Sequence, residues 1–211
     1  MGVTILLTGF GPFPGAPFNP TAPLVERLAR LRRPALGDAR LIAHVFQTSY
    51  AAIDRELPAL IERHRPATLL MFGLAPQIPH LRIETRARNA ISLTPGADRA
   101  TPSRRAIAIR KPATLALRVP ARRLLAAARA AGVPAALSRD AGSYLCNYLC
   151  WRAAESAAAG VPCLTAFIHV PNVRRKSVRS MPRSKRLLTF SDLARAGGAR
   201  RGLPIVNDRK R

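Results

Sequence analysis

Residues 3–31 read VTILLTGFGPFPGAPFNPTAPLVERLARL, and this stretch sets the pattern that the rest of the chain repeats. Its first six residues, 3–8, form a short apolar run that predicts a buried strand. Asn19 and Pro20 are typical of a helix start, and apolar residues spaced three or four apart follow them. A strand followed so soon by a helix predicts an α/β fold.

The same alternation continues along the chain. The predicted strands are residues 3–8, 41–46, 68–72, 134–137 and 163–168, and the predicted helices are 19–31, 49–64, 119–131 and 143–159. Further strand pairing is expected in the less regular segment 74–118, at residues 81–84 and 106–109. Strands alternating with helices predict a mostly parallel sheet that is covered on both faces.

The length of 211 residues fits one domain with a sizeable core. No apolar stretch approaches the roughly 20 residues of a membrane span, and the N-terminal apolar run lacks the basic flank of a signal peptide. We therefore expect a cytoplasmic protein that does not bind membranes. Cys146, Cys150 and Cys163 suggest neither a disulfide framework nor a zinc site, so no metal is expected.

The chain is strongly basic, with 35 Lys and Arg against 11 Asp and Glu and a net charge of +24. Such a charge can attract nucleic acid, but the aromatic residues that usually accompany basic patches in nucleic-acid binders are scarce here. We therefore do not expect a nucleic-acid partner and keep this function as an alternative. We predict that the domain spans residues 1–196 with a final helix from about residue 187, and that residues 197–211 are a poorly ordered basic extension.

A loop rich in Gly, Pro and Phe follows the first predicted strand at residues 8–15, TGFGPFPG. It resembles a dinucleotide fingerprint, but Pro14 takes the place of the third glycine, which disfavours a nucleotide cofactor. Phe10 and Phe13 either wall a small apolar pocket at the sheet edge or belong to the core.

Cys146 falls in the first turn of a predicted helix, after the small-residue turn that begins at Asp140. A helix N-terminus favours the thiolate form of a cysteine, although many cysteines at such positions are inert. His169 follows a buried strand and is expected at the same sheet edge, where it could serve as base. His44, placed in the core, and His64 and His80 are the other histidines considered.

A carboxylate that orients the histidine would complete such a site. Glu84 is the candidate because it lies in the irregular segment that follows the strand-end glycine Gly73, whereas the other glutamates lie on helical patterns. Asp98 and Asp140 stay open as alternatives.

Three short motifs together resemble the pyroglutamyl peptidase I family, also called pyrrolidone-carboxylate peptidases, which are cysteine peptidases. They are residues 7–13 with 19–21, residues 141–147 around Cys146, and residues 167–171 around His169. The likeness covers about residues 3–173. It implies a single three-layer α/β/α domain, often assembled as a homotetramer, with no cofactor or metal.

The resemblance also implies the site and its substrate, a peptide with an N-terminal pyroglutamyl residue. Cys146, His169 and Glu84 would form the catalytic triad and act through a thioester. Phe10 and Phe13 would sandwich the lactam ring, with Tyr144 in the pocket wall.

The chain departs from the family pattern around Glu84. Arg82 stands where a small hydroxyl residue is usual, Thr85 stands where a basic residue is usual, and Arg86 adds a further charge. A binding or scaffold protein that has lost activity is therefore a second hypothesis, and a cysteine hydrolase of another small amide is a third.

Overall fold

The apolar runs form a six-stranded central sheet in a computed structural model that describes residues 2–31 and 37–172. The strands are β1 (Thr4–Phe10), β2 (Arg40–Phe46), β3 (Thr68–Leu74), β4 (Leu81–Glu84), β5 (Arg86–Arg88), β6 (Thr114–Ala116), β7 (Ala135–Ser138) and β8 (Leu164–Val170). The helices are α1 (Thr21–Ala29), α2 (Tyr50–His64), α3 (Ala121–Ala130) and α4 (Leu145–Ala158). None of the helices in the described ranges has the length and apolar character that a membrane span requires.

The strand order in the large sheet is β2-β1-β3-β8-β4-β7. Four of its neighbouring pairs are parallel, and only β4 and β8 run in opposite directions. β5 and β6 form a separate antiparallel pair. The prediction of a mostly parallel sheet is therefore confirmed.

The two faces of the sheet carry two cores, because successive side chains of a strand point to opposite faces. Ile5 and Leu7 pack with apolar residues of α1 and α3, whereas Leu6 packs with apolar residues of α2 and α4. Full burial of an Ile or Leu side chain stabilises the fold by about 1.5–3 kcal/mol. The three-layer α/β/α arrangement is thus confirmed.

The predicted starts of the helices and ends of the strands agree with the structure to within a few residues. Ser49 caps α2, and its Oγ accepts a hydrogen bond from the Ala52 amide at 3.1 Å. Pro20 occupies the N-cap position of α1, and the Asn19 side chain accepts from the Thr21 amide at 3.1 Å.

The irregular segment 74–118 was predicted only in part. Residues 81–84 form β4, as predicted, but residues 106–109 are not a strand, and β5 and β6 were not predicted. The side-chain amide of Asn89 accepts from the Ala108 N–H at 2.9 Å and donates to the Ala108 carbonyl at 2.8 Å, so a side chain takes the place of a neighbouring strand. The final helix expected from residue 187 and the extension 197–211 lie outside the described residues.

Candidate active site

The antiparallel register of β4 and β8 brings His169 and Glu84 together. Arg82 lies opposite His169, and Glu84 lies opposite Phe167. Residues two apart on a strand share a face, so all four side chains project from the same side of the sheet. Phe167 packs in the core beneath α2 and α4, which identifies that side. His169 Nδ1 and Glu84 Oε1 are 2.8 Å apart.

This pair is almost fully buried, with His169 6% exposed and Glu84 0% exposed. Burial alone raises the pKa of Glu84, but the hydrogen bond from His169, the nearby Ser138 hydroxyl and the positive charges of His169 and Arg82 together outweigh burial and lower the pKa. The Glu84 carboxylate is therefore ionised at neutral pH and can hold the imidazole of His169.

Burial on its own lowers the pKa of His169, because it disfavours the charged ring. The neighbouring groups outweigh burial and raise this pKa to about 9. The nearby Cys146 sulfur contributes most to this rise, followed by the hydrogen bond and the charge of Glu84. Since Glu84 occupies Nδ1, Nε2 is the ring nitrogen that remains for Cys146. The raised pKa favours the imidazolium form of His169 at neutral pH.

Cys146 is the second residue of α4 and is partly exposed. Tyr144 stands at the N-cap position, and its side chain does not cap the helix. The positive end of the helix dipole therefore lies beside the Cys146 thiol and favours the thiolate.

Gly73 on β3 lets the thiol come close to the sheet. It lies opposite His169 in the β3–β8 register. A methyl group at Gly73 would be 2.7 Å from Cys146 Sγ and 2.6 Å from Cζ of Phe167. Such distances are too short for non-bonded atoms, so the approach of Cys146 to His169 depends on a residue without a side chain.

Asn147, the residue after Cys146, joins the start of α4 to β5. Its buried side chain accepts from the Arg88 amide at 2.8 Å and donates to the carbonyls of Arg88 and Ala90, each at 2.8 Å. Three backbone groups are thereby satisfied by one side chain. The sequence placed Asn147 within the cysteine motif without revealing this role.

The turn before α4 is built around Asp140. Its carboxylate accepts from the Gly142 amide at 2.9 Å, and both of its oxygens accept from Arg88 Nη1 at 3.0 Å. Gly142 has a φ of +83°, a conformation that favours glycine. Asp140 is thus engaged in the turn, and Asp98 accepts from the Ala100 amide at 3.1 Å. Of the three candidate carboxylates, the structure brings Glu84 to His169.

Arg82 is an additional group at the site. Its Nη2 is 3.1 Å from Glu84 Oε1 and 2.6 Å from Ser138 Oγ. The sequence marked Arg82 only as a departure from the family pattern, since alternation along β4 gives the face of a side chain but not its contacts.

The loop after β1 is held by polar side chains. Thr21 Oγ1 accepts from the Phe10 amide at 2.9 Å and donates to the Phe10 carbonyl at 3.1 Å, while Asn19 and Thr48 both donate to the Gly11 carbonyl at 3.1 Å. Phe10 is buried in the core and its ring lies 6.1 Å from that of Phe46. Phe13 is only partly buried.

Tyr144 lies between the start of α4 and the irregular segment. Its hydroxyl donates to the Pro95 carbonyl at 2.8 Å, and its ring meets that of Tyr50 edge to face at 5.9 Å. The Ser92 amide also donates to the Ser143 carbonyl. Tyr144 therefore anchors the 92–95 segment next to Cys146.

The other histidines lie away from this cluster. His44 on β2 was expected in the core, but it is partly exposed and its Nε2 is 2.9 Å from Glu56 Oε2. His64 ends α2, as predicted, and His80 precedes β4. Within residues 2–31 and 37–172, no group of three or more His, Cys, Asp and Glu side chains could hold a metal ion.

Comparison with known proteins agrees with this geometry. The family model described as pyroglutamyl peptidase matches residues 3–189. The pyrrolidone-carboxylate peptidase of Thermococcus litoralis is 33% identical over 170 residues, which are 79% of this chain and 76% of that protein. The pyrrolidone-carboxylate peptidase of Cupriavidus pinatubonensis is 32% identical over 182 residues, 83% of this chain and 82% of that protein.

The solved structure of the pyrrolidone carboxyl peptidase from Thermococcus litoralis is also similar. Its TM-score is 0.81 at 26% identity, over 94% of this chain and 93% of that one. The resemblance inferred from the three motifs is thus confirmed over most of the chain. The chain therefore belongs to the pyroglutamyl peptidase family of cysteine peptidases.

Proposed function

We propose that this protein removes an N-terminal pyroglutamyl residue from peptides, with Cys146 as nucleophile, His169 as acid and base, and Glu84 as the group that orients His169. One observation carries the proposal: a buried Glu84–His169 hydrogen bond of 2.8 Å lies beside a cysteine at the start of α4. The type of reaction is inferred from the family to which the chain belongs.

In the first half of the reaction, the Cys146 thiolate attacks the carbonyl carbon of the pyroglutamyl residue. A C–S bond forms, and the negative charge moves to the carbonyl oxygen. The backbone amides at the start of α4 are the donors suited to stabilise that oxygen, because the Tyr144 side chain does not cap them. The C–N bond then breaks, and His169 gives its proton to the departing amine.

In the second half, the now neutral His169 takes a proton from a water molecule, and the oxygen of that water attacks the carbonyl carbon of the thioester. The C–S bond breaks, which releases pyroglutamic acid and restores the thiolate and the imidazolium. Glu84 stays ionised throughout and stabilises the charged form of His169, as the lowered pKa of its carboxyl allows.

For substrate selection, we propose that the partly exposed Phe13 lies against the lactam ring, that Phe10, which is only 2% exposed, supports the pocket from the core, and that Tyr144 lies in the pocket wall. Phe10 is rigid because Thr21 binds both its amide and its carbonyl. A neutral ring suits such apolar walls, whereas a free charged N-terminus would lose hydration there without a partner.

The test is release of a fluorophore from a pyroglutamyl-amide substrate under reducing conditions. The wild type is expected to release it, and Cys146→Ala is expected to be inactive. Cys163→Ala is the matched control, since Cys163 is an exposed thiol, and it is expected to retain wild-type activity. An alanyl-amide substrate should not be cleaved.

Absence of activity in a folded wild type would contradict the proposal and support a scaffold protein. Cleavage of other small cyclic amides in preference to the pyroglutamyl amide would instead keep Cys146 as nucleophile and change the substrate.

We also infer that the protein acts in the cytoplasm as a homo-oligomer. Cys146, Cys150 and Cys163 are free thiols, and a reducing compartment preserves a thiolate nucleophile. The oligomer is inferred from the family resemblance alone. Light scattering of the purified full chain gives its mass directly, and a monomer would contradict the inference.

A further inference from the structure

Arg82 contacts three acceptors that belong to two different parts of the site. Its Nη2 lies 3.1 Å from Glu84 Oε1 and 2.6 Å from Ser138 Oγ, and it also donates to the Asp140 carbonyl. Its side chain is 23% exposed, so the guanidinium is largely shielded from water. The first acceptor holds His169, and the other two lie on the segment that leads to Cys146.

Glu84 Oε1 is shared between two donors. His169 Nδ1 is 2.8 Å away and Arg82 Nη2 is 3.1 Å away, whereas Oε2 has no hydrogen-bond partner among the described residues. A carboxylate with one free oxygen could rotate if only His169 held it. The second contact restricts that rotation, and the planar guanidinium is suited to bind several acceptors at once.

The Arg82 charge also acts on the imidazole. Arg82 lies opposite His169 in the strand register, and a cation at Oε1 offsets part of the carboxylate charge that His169 experiences. The groups facing the Glu84–His169 pair are Arg82 from β4, Ser138 from β7, and Cys146 and Cys150 from α4. Within the described part of the chain, Arg82 is the one cationic side chain among these neighbours.

We propose that Arg82 is a positioning residue of this site: it fixes the Glu84 carboxylate, ties it to the Ser138–Asp140 turn that leads into α4, and limits the pull of Glu84 on the His169 proton. This inference rests on the proposed function. Arg82 departs from the family pattern, and this inference gives it a defined role in this chain.

The test compares Arg82→Met, Arg82→Lys and the control Arg86→Met. Arg86 lies on β5 and donates to the Arg139 carbonyl of the same turn at 2.8 Å, so its removal loosens that turn and costs one charge without touching Glu84. The first readout is the His169 titration followed by NMR. The chain has four histidines, and His169→Gln assigns the signal. The second readout is the pH profile of kcat/KM, with kcat and KM at neutral pH.

In Arg82→Met, the pKa of His169 and the basic limb of the profile are expected to move above their wild-type positions, because a nearby cation has gone. We expect kcat to fall about tenfold with KM little changed, less than the hundredfold that a 1 Å misplacement can cost. Arg82→Lys keeps the charge, so its titration is expected to stay near the wild type while kcat falls less. Arg86→Met is expected to leave the His169 titration at its wild-type position, because Arg86 does not contact Glu84.

A folded Arg82→Met with a wild-type titration and wild-type kcat would overturn the inference, as would an equal shift in Arg86→Met. Should Arg82→Met not fold, Arg82→Gln removes the charge while it keeps an amide donor, and the same upward shift is required of it. The NMR titration needs no turnover. An inactive wild type would therefore refute the proposed function and still leave the effect of Arg82 on His169 measurable.

Discussion

Gly73 shows how a single residue without a side chain determines the approach of Cys146 to His169. It lies on β3 beside His169, and the Cys146 sulfur occupies the space where a methyl group would be. The chemistry needs Cys146 within hydrogen-bond reach of the imidazole, so residue 73 has to lack a side chain.

Gly73→Ala is expected to lower kcat/KM by about a hundredfold, because relieving a 2.7 Å contact with Cys146 Sγ requires a shift of about 1 Å. Overpacking of this kind also costs about 1–3 kcal/mol of stability. Gly11→Ala is the control, since a methyl group there has its nearest neighbour, the Phe46 carbonyl oxygen, at 3.6 Å. Steady-state kinetics and urea unfolding measure both effects, and a Gly73→Ala with normal activity would contradict the geometry described for Cys146.

The charge state of His169 gives a second prediction at this scale. The Cys146 thiolate is a major cause of the raised pKa of His169, so Cys146→Ala is expected to lower that pKa from about 9. An NMR titration of the imidazole measures the change. Cys163→Ala should leave the titration unaltered, and an unaltered titration in Cys146→Ala would mean that no thiolate faces the ring.

Individual site residues were predictable to different degrees. Cys146 and His169 could be placed at one sheet edge from helix and strand patterns, whereas Glu84 could not be separated from Asp98 and Asp140 by pattern alone. The choice depends on which side chain meets His169 across β4 and β8. That register is a long-range property that no local pattern contains.

The start of α4 depends on Asn147 as much as on its helix dipole. The Asn147 side chain binds the backbone of Arg88 and Ala90, so it fixes the helix start to β5 next to the nucleophile. This explains why a fully buried amide follows Cys146.

Asn147→Ala is expected to destabilise the protein by about 2–4 kcal/mol, because one partly buried N–H and two partly buried carbonyls lose their hydrogen-bond partner. Chemical denaturation measures the loss. Ser156→Ala on the same helix removes only a hydroxyl that donates to the Arg152 carbonyl, and its effect should stay within about 0.5 kcal/mol. If both substitutions lower the free energy of unfolding by the same small amount, the hydrogen bonds of Asn147 do not contribute to stability.

Elements with a strong apolar pattern were predicted well, and those held by side chains were not. β5 is three residues long and carries two arginines, so it has too little apolar alternation to be recognised. Residues 106–109 alternate like a strand, yet Asn89 binds the backbone of Ala108 in place of a partner strand. The direction of β4 was likewise invisible, because antiparallel and parallel strands share the same side-chain alternation.

At the scale of the whole molecule, the charge of +24 opposes compactness. The 11 acidic groups partly offset the 35 basic ones, and protonating them in acid would raise the charge to +35 before the histidines are counted, since 24 + 11 = 35. Self-repulsion should therefore make the fold sensitive to acid and dependent on salt.

Acid unfolding followed by circular dichroism is expected to shift to lower pH when the ionic strength rises from about 0.01 M to about 0.15 M, because the screening length shortens from about 30 Å to about 8 Å. An unfolding midpoint that does not depend on salt would mean that repulsion between like charges is not the cause.

Glu84 adds a specific contribution to this acid sensitivity. Its pKa is lowered in the folded protein, so it stabilises the fold above the ordinary carboxyl pKa, and this stability is lost as the pH falls through the lowered value. Glu84→Gln is expected to be about 3 kcal/mol less stable than the wild type at neutral pH, since a buried charge loses its partner. The difference should narrow in acid, and a gap of constant size between pH 7 and pH 3 would contradict the assignment.

Cys146 and Cys150 stand one turn apart on α4, yet only one of them is open to reagents. Burial, with the charges of Cys146 and Glu84, raises the pKa of Cys150 well above its usual value, and its side chain is 0% exposed. An alkylating agent therefore finds only Cys146 and the exposed Cys163. Once Cys163 is replaced, Cys146 is the one accessible thiol among the three. The mass that each chain gains on alkylation then measures the fraction of chains with an accessible Cys146.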